Sequence, residues 1–148
     1  MSIANLIKEK NIFLNLKSGS KREFLSDVAQ HASGICGVDA LTIFDTIMER
    51  ENLGSTGFGG GTAIPHGRFI ELDKPFVFFA RPSYPVEFDS VDNRPVDIAF
   101  MLISPENAGA DHLTALAVLS RILKDEAICS KLRQMDTATE IAALLSEY

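Results

Sequence analysis

Alternating apolar and polar residues near the N-terminus predict a β-strand over Ile12–Leu16, which a polar run at positions 17–19 ends. Ser20 and Glu23 then have the spacing of a capping box, in which a hydroxyl and a carboxylate each accept a hydrogen bond from a free backbone N–H at a helix start. Apolar residues follow at helical spacing, namely Phe24, Val28, Ala32 and Ile35. Glycines at positions 34 and 37 close this first predicted helix.

A second helix is predicted directly after the first. Asp39 can cap its N-terminus, and apolar residues continue at helical spacing to about Glu51; they are Leu41, Phe44, Ile47 and Met48. Residues 54–67 then hold six glycines and one proline, with neither a helical nor a strand period. We interpret this glycine-rich segment as a functional loop.

Two short apolar runs follow the glycine-rich segment. Residues 76–80 and 96–103 are bounded by Pro and by Asn or Asp, which is typical of strands buried on both faces. Between them, residues 82–89 contain prolines that cannot serve a central ladder, so this segment is predicted to be an edge strand or a hairpin arm.

Helical patterns resume over residues 111–123 and 126–135, and Thr137 and Glu140 repeat the capping-box spacing before a last helix. Helices before, between and after buried strands predict an α/β fold with three layers, α/β/α. The sheet is predicted to be mixed, because at least one connection resembles a hairpin. Residues 1–148 are interpreted as one domain.

Composition narrows the classes of function. A chain of 148 residues can bury a core without disulfides or metal ions. Its net charge of −6, with no cluster of Lys and Arg beside aromatic residues, argues against nucleic acid as a partner. Lys8 and Glu9 interrupt the N-terminal apolar stretch, and no run approaches the roughly 18 apolar residues of a membrane span. We therefore predict a cytoplasmic protein without membrane insertion.

The two cysteines lie far apart in the sequence. Cys36 and Cys129 each occur in a helical pattern. They are predicted to be two buried thiols in a reducing compartment rather than a disulfide or a metal-binding pair.

The three histidines have different sequence contexts. His31 lies in the first helical pattern and is interpreted as a structural or surface side chain. His66 follows Pro65 and precedes Gly67 and Arg68, so a stiff turn presents a titratable ring with a cation two residues away. The alternative is a turn histidine without a role.

His112 opens a predicted helix directly after the loop at residues 105–110. The positive potential of a helix N-terminus attracts phosphate and lowers the pKa of a nearby imidazole. A helix-capping or solvent-exposed ring is the alternative. Together with the glycine-rich segment, the two histidines predict a phosphate-handling pocket but do not identify the reaction.

Several phosphate and catalytic motifs do not fit the segment. Gly60 and Gly61 stand where a Walker A loop requires Lys and Ser or Thr, and Thr62 replaces the last glycine of a dinucleotide-binding fingerprint. Three scattered histidines with no paired spacing make a poor metal site. The sequence also lacks the GxSxG motif of a serine nucleophile.

Residues 54–68, with the core Ala63-Ile64-Pro65-His66-Gly67, resemble the active-site segment of the enzyme IIA domains of the bacterial phosphoenolpyruvate:sugar phosphotransferase system. The resemblance is to the mannitol/fructose family and, within it, to the nitrogen-regulatory group. It extends to Arg50-Glu51, to residues 86–90 and 93–97, and to His112-Leu113. Thr62 stands where the family usually has Val, and Phe58 where it often has Ile. Neither difference removes a chemical group from the site.

The resemblance implies that His66 accepts a phosphoryl group on Nε2 from a histidine-phosphorylated carrier protein of the HPr type. Phosphoryl transfer passes through a loose transition state with charge on three oxygens, so the remaining residues position and neutralise that group. The candidates for this role are His112, Arg50 and Arg68, with the backbone N–H groups of Gly60, Gly61 and Thr62. No cofactor and no metal ion is required.

The resemblance leaves three functions open. In the first, the phosphorylation state of the protein regulates partners such as sensor kinases or transport regulators, in a nitrogen or potassium context. In the second, the protein passes phosphate to a IIB domain during fructose or mannitol uptake. We favour regulation because the 148 residues contain no fused IIB or membrane IIC region. The third is a phosphate sensor without covalent chemistry.

Overall fold

The computed structural model describes residues 2–148, which form a sheet of six strands and five α-helices. The strands are β1 (Ile12–Leu16), β2 (Gly57–Gly59), β3 (Thr62–Ala63), β4 (His66–Phe69), β5 (Phe76–Pro82) and β6 (Ile98–Pro105). The helices are α1 (Lys21–Cys36), α2 (Ala40–Leu53), α3 (Ala110–Lys124), α4 (Glu126–Gln134) and α5 (Ala138–Leu145). Two short 3-10 helices, Ile3–Asn5 and Glu9–Asn11, precede β1.

Strand β6 is the centre of the sheet. It pairs antiparallel with β5, which in turn pairs parallel with β1. Two short strands share the other edge of β6 and run parallel to it, with β3 beside its beginning and β4 beside its end. β2 pairs antiparallel with β3. The sheet is therefore mixed, as predicted.

Helices cover both faces of the sheet. Side chains alternate between the faces of a strand, and Val77 and Phe79 of β5 pack in one apolar cluster with α3, α4 and α5. Their neighbours Phe78 and Ala80 pack in a second cluster with α1 and α2. The same alternation continues along β6, whose eight residues are all buried. The predicted three-layer α/β/α architecture is confirmed.

Polar side chains begin the helices where the sequence predicts. The Ser20 hydroxyl accepts from the Glu23 N–H at 3.1 Å, and the Asp39 carboxylate accepts from the N–H groups of Leu41 and Thr42. The Glu23 carboxylate accepts from the N–H of Gly19 rather than that of Ser20. The cap therefore satisfies one helical N–H and holds the chain that enters α1.

Two connecting segments differ from the prediction. The glycine-rich segment is not a structureless loop, because it contains β2, β3 and the beginning of β4. Gly60 and Gly61 have positive φ and allow the tight turn between β2 and β3, whose strands are too short to show a sequence period. Residues 83–97 form no strand and contribute only the bridge between Val86 and Val96. Prolines limit the backbone donors there.

The cysteine prediction is correct for one residue and wrong for the other. Cys129 in α4 is buried, whereas Cys36, the last residue of α1, is half-buried, and both are free thiols. Within residues 2–148, no helix combines the length and the apolar character that crossing a membrane requires.

Candidate functional site

The pairing of β4 with β6 fixes the position of His66. His66 is the first residue of β4 and lies opposite Leu102 of β6. Gly67 follows it at a close contact with α2, since a Cβ atom there would lie 3.1 Å from the Thr46 side chain and 3.5 Å from that of Ile47. The absence of a side chain at Gly67 therefore brings the last turns of α2 next to the histidine.

The hydrogen bond of the His66 ring distinguishes its two nitrogen atoms. Nδ1 lies 2.8 Å from the carbonyl oxygen of Ile64. A carbonyl oxygen only accepts, so Nδ1 carries the proton and donates. In the neutral ring the lone pair is then on Nε2. His66 is half-buried and lines an open cleft of about 500 Å³.

The second histidine of this cleft comes from α3. His112 is 5% exposed, and its Nδ1 lies 2.8 Å from the Oγ atom of Ser104, a buried residue of β6. The ring centroids of His66 and His112 are 5.7 Å apart, with an angle of 54° between the ring planes. The structure therefore brings together two histidines that are 46 positions apart in the sequence.

Two arginines line the same cleft. Arg50 lies in the last turn of α2, where its Nη1 donates to the carbonyl oxygen of Gly54 at 2.7 Å. Arg68 is exposed on β4, and its Nη2 lies 3.4 Å from the carbonyl oxygen of Gly109, which precedes α3. The cleft thus joins α2, β4 and α3 and carries positive charge.

Burial and positive charge keep both histidines neutral. Burial lowers the pKa of His66, and the charges of Arg50 and Arg68 add to that effect, while the Ile64 hydrogen bond and the Glu51 carboxylate oppose it. The pKa of His112 is lowered to about 4, first by burial and then by Arg68 and His66. At neutral pH each ring has one protonated nitrogen and one lone pair.

The structure separates Gly60, Gly61 and Thr62 from His66. Thr62 pairs with Ile98 at the beginning of β6, four residues and about 13 Å along the strand from the His66 pair. The Gly60 N–H donates to Asp92, and the Thr62 hydroxyl donates to the carbonyl oxygen of Gly59. None of the three lines the histidine cleft. We therefore correct the sequence prediction and exclude them from the phosphate-binding groups.

Sequence reasoning missed Ser104 and gave no role to Glu51. Glu51 is 4% exposed, pairs with Lys21 at 3.0 Å, and accepts hydrogen bonds from the backbone and the hydroxyl of Thr56. It therefore anchors the chain that leads to β2. Ser104 is the one polar residue of β6, and an isolated hydroxyl in an apolar strand is a signal that points to a specific contact.

The remaining titratable groups do not add a ligand set to the cleft. His31 is exposed on α1 and stacks on Phe13, with ring centroids 4.9 Å apart, which agrees with the predicted structural or surface role. In the part of the chain from residue 2 to residue 148, no group of three or more His, Cys, Asp or Glu side chains is placed to hold a metal ion.

The fold and the cleft define a class of protein that sequence comparison identifies. The chain belongs to the family described as "Phosphoenolpyruvate-dependent sugar phosphotransferase system, EIIA 2", whose sequence model matches residues 5–148. Within this family it is similar to nitrogen regulatory proteins. One of them, from Bradyrhizobium diazoefficiens, is 42% identical over 99% of this chain and 95% of that protein.

Two further relatives show the range of the family. The crystal structure of nitrogen regulatory protein IIA-Ntr from Neisseria meningitidis superposes with a TM-score of 0.91 and 33% identity, covering 97% of this chain and 98% of that one. A fructose-specific EIIA component from Haloferax volcanii is 37% identical over 84% of this chain and 80% of that protein. The family thus includes proteins named for regulation and for sugar transport.

Proposed function

We propose that the protein accepts a phosphoryl group on Nε2 of His66 from a histidine-phosphorylated carrier protein of the HPr type. The observation that carries this proposal is the bond from His66 Nδ1–H to the Ile64 carbonyl oxygen. It holds the proton on Nδ1 and leaves the lone pair on Nε2, which is the form that a nucleophile requires. The lowered pKa of His66 keeps this neutral form populated at neutral pH.

The transfer exchanges one P–N bond for another. The bond between phosphorus and the donor imidazole breaks, its electron pair returns to the donor ring, and the lone pair of His66 Nε2 forms the new bond. The proton on Nδ1 stays in its hydrogen bond to the carbonyl oxygen of Ile64. This hydrogen bond stabilises the positive charge that develops on the ring. Membership of the phosphotransferase family supports this chemistry.

Arg50, Arg68 and His112 are the groups that stabilise the transferred phosphoryl. Its charge lies on three equatorial oxygens in the transition state, so cationic and N–H donors near the nucleophile lower the barrier. Both arginines line the cleft with His66. His112 is neutral and acts as a hydrogen-bond donor rather than as a stable acceptor of the group.

Apolar residues beside the cleft suit a protein donor. Leu53 is 83% exposed at the end of α2, and Leu113 is 63% exposed at the beginning of α3. Both border the cleft that contains the two histidines. Exposed apolar residues grouped at one site are typical of protein contacts, and a carrier protein must cover this face to bring its own phosphohistidine to His66.

The phosphorylation state is proposed to regulate partners such as sensor kinases or transport regulators. Arg50, Arg68 and Glu49 give the cleft lining a net charge of +1, and a phosphoryl group, which adds about two negative charges at neutral pH, reverses its sign. The similarity to nitrogen regulatory proteins supports this role. A pull-down with the unphosphorylated protein, the phosphorylated protein and His66→Ala tests it. Regulation is supported by partners that bind only the phosphorylated protein, or by partners that bind the unphosphorylated protein and His66→Ala but not the phosphorylated protein. Identical partner sets for all three forms contradict it.

The relationship to a fructose-specific EIIA component favours one alternative, in which the protein passes its phosphoryl group to a IIB domain in sugar uptake. Incubation of the phosphorylated protein with fructose- and mannitol-type IIB domains separates the two functions. Rapid loss of phosphate from this protein to a IIB domain supports transport, and retention of the phosphate supports regulation.

A further inference from the structure

The hydroxyl of Ser104 is buried and has one polar neighbour. Ser104 is 0% exposed in β6, and among the hydrogen bonds of residues 2–148 its Oγ takes part in the contact with His112 Nδ1 alone, at 2.8 Å. The strand around it is apolar. The direction of this one hydrogen bond therefore determines whether a buried donor is satisfied.

The two possible directions differ in what they leave unpaired. If His112 Nδ1–H donated to Oγ, the hydroxyl proton of Ser104 would have no acceptor within an apolar strand. If the hydroxyl donates to Nδ1, its proton is satisfied and only spare lone pairs of Oγ remain. An unsatisfied buried donor is the costlier outcome, so the second direction is favoured.

We infer that Ser104 is a positioning residue that donates its hydroxyl proton to His112 Nδ1 and thereby holds the proton of the His112 ring on Nε2. This inference rests on the proposed phosphoryl transfer for its functional meaning. A neutral imidazole has one N–H group, so His112 can donate from Nε2 only when Nδ1 accepts. Ser104 is the residue that makes Nδ1 an acceptor.

The two histidines then have opposite tautomers with complementary tasks. The Ile64 carbonyl holds the His66 proton on Nδ1 and frees Nε2 to attack. The Ser104 hydroxyl holds the His112 proton on Nε2, where it can donate to a phosphoryl oxygen. Burial and the charge of Arg68 favour the neutral form of the His112 ring. The tautomer therefore determines whether Nε2 offers an N–H donor or a lone pair to the cleft.

The tautomer can be measured without any phosphoryl transfer. A long-range ¹H–¹⁵N spectrum of the histidine side chains at pH 7 distinguishes a protonated ring nitrogen from an unprotonated one. We expect His112 to be protonated on Nε2, and we expect this preference to weaken in Ser104→Ala, in which the other tautomer gains population. Protonation of His112 on Nδ1 in the parent protein would overturn the inference, whether or not His66 is phosphorylated.

The rate of phosphoryl transfer to His66 provides a second, independent test. We expect Ser104→Ala to slow phosphoryl transfer to His66 by about five- to tenfold, the effect of weakening one hydrogen bond. In a His112→Ala background the same substitution should have no further effect, since Ser104 acts through His112. An equal loss in both backgrounds would contradict this. Absence of phosphorylation in the parent protein would refute the proposed function and leave the tautomer result intact.

Discussion

The imidazole rings of His66 and His112 lie with their centroids 5.7 Å apart, although one begins strand β4 and the other lies in the first turn of helix α3. Both residues contact β6: the backbone of His66 pairs with Leu102, and the ring of His112 contacts the Ser104 hydroxyl. Residues two apart on a strand face the same side of a sheet. A single central strand therefore sets the relative position of the two histidines.

The titration of His112 should affect stability. Its pKa is about 4 in the folded protein and near 6.5 in the unfolded chain, so the unfolded state binds more protons between these pH values. Stability is therefore lost as the pH falls through this range, by about 3 kcal/mol at 1.36 kcal/mol per pH unit. We expect His112→Gln to show a smaller loss of unfolding free energy between neutral pH and pH 4, measured by urea unfolding.

His31→Gln is the control for this experiment, because His31 is exposed on α1. It should retain the pH dependence of the parent protein. If the unfolding free energies of His112→Gln and of the parent protein fall equally between neutral pH and pH 4, His112 does not titrate as a buried neutral ring.

Removal of the Arg68 charge should affect both histidines. Arg68 lowers the pKa of His66 and of His112, so Arg68→Gln should raise both values. It should also slow phosphorylation of His66 by about 10- to 100-fold, because the transition state loses one cationic donor. Histidine NMR titration and single-turnover transfer measure the two effects. Arg22→Gln, an exposed arginine above the Phe44 ring, should leave the rate unchanged. Equal transfer rates for the two variants would show that Arg68 does not stabilise the transferred phosphoryl group.

The buried carboxylate of Glu51 should contribute to stability. Glu51→Gln leaves the ammonium group of Lys21 without its anionic partner, in a position where the Lys21 side chain is only 16% exposed. We expect a loss of about 3 kcal/mol in unfolding free energy, measured with denaturant. Asp45→Asn changes an exposed carboxylate of the same helix and should cost less than about 0.5 kcal/mol. Similar losses in both variants would show that the Lys21 pair is not stabilising.

Gly61 tests the separation of the glycine-rich turn from the histidine cleft. A Cβ atom at position 61 would lie 2.9 Å from Arg133 Nη2 and Asp97 Oδ1, and its φ is +78°. We expect Gly61→Ala to lose about 1–3 kcal/mol of stability. The transfer rate per folded molecule should not change.

Gly34→Ala is the matched control for Gly61→Ala, because a Cβ atom at position 34 of α1 meets nothing within 4 Å. It should gain up to about 1 kcal/mol, the helix propensity of alanine over glycine. A large loss of transfer rate in folded Gly61→Ala would show that the glycine-rich turn takes part in phosphate binding.

Local signals predicted much of the fold. The Ser20 and Asp39 caps placed the beginnings of α1 and α2, and the apolar runs placed β5 and β6 in the core. These elements are long enough to show a period and are bounded by residues with defined backbone preferences. The hairpin of β2 and β3 has strands of only three and two residues, so pairing with β6 rather than local sequence determines it.

The site was predictable only in part. Helix and turn chemistry singled out His66 and His112 as candidates, because each signal depends on neighbours in the sequence, and the structure brings the two rings together. The phosphate-binding role of Gly60, Gly61 and Thr62 was expected from the family resemblance and the N–H groups of the glycine-rich segment, but the strand register places Thr62 four residues of β6 away from the His66 pair. Ser104 contacts His112 of a different element, and no local pattern reveals which side chain a buried hydroxyl will meet.

Identification of the phosphorylated atom tests the proposed function most directly. The protein is incubated with phosphoenolpyruvate, the first enzyme of the relay and the carrier protein, and its intact mass is measured at alkaline pH, where phosphohistidine is stable. We predict one phosphoryl group, located on Nε2 of His66 by fragmentation and ¹H–¹⁵N spectra. It should be absent from His66→Ala and present in His31→Ala. Phosphorylation of His66→Ala, or no phosphorylation of the parent protein, would contradict the proposed function.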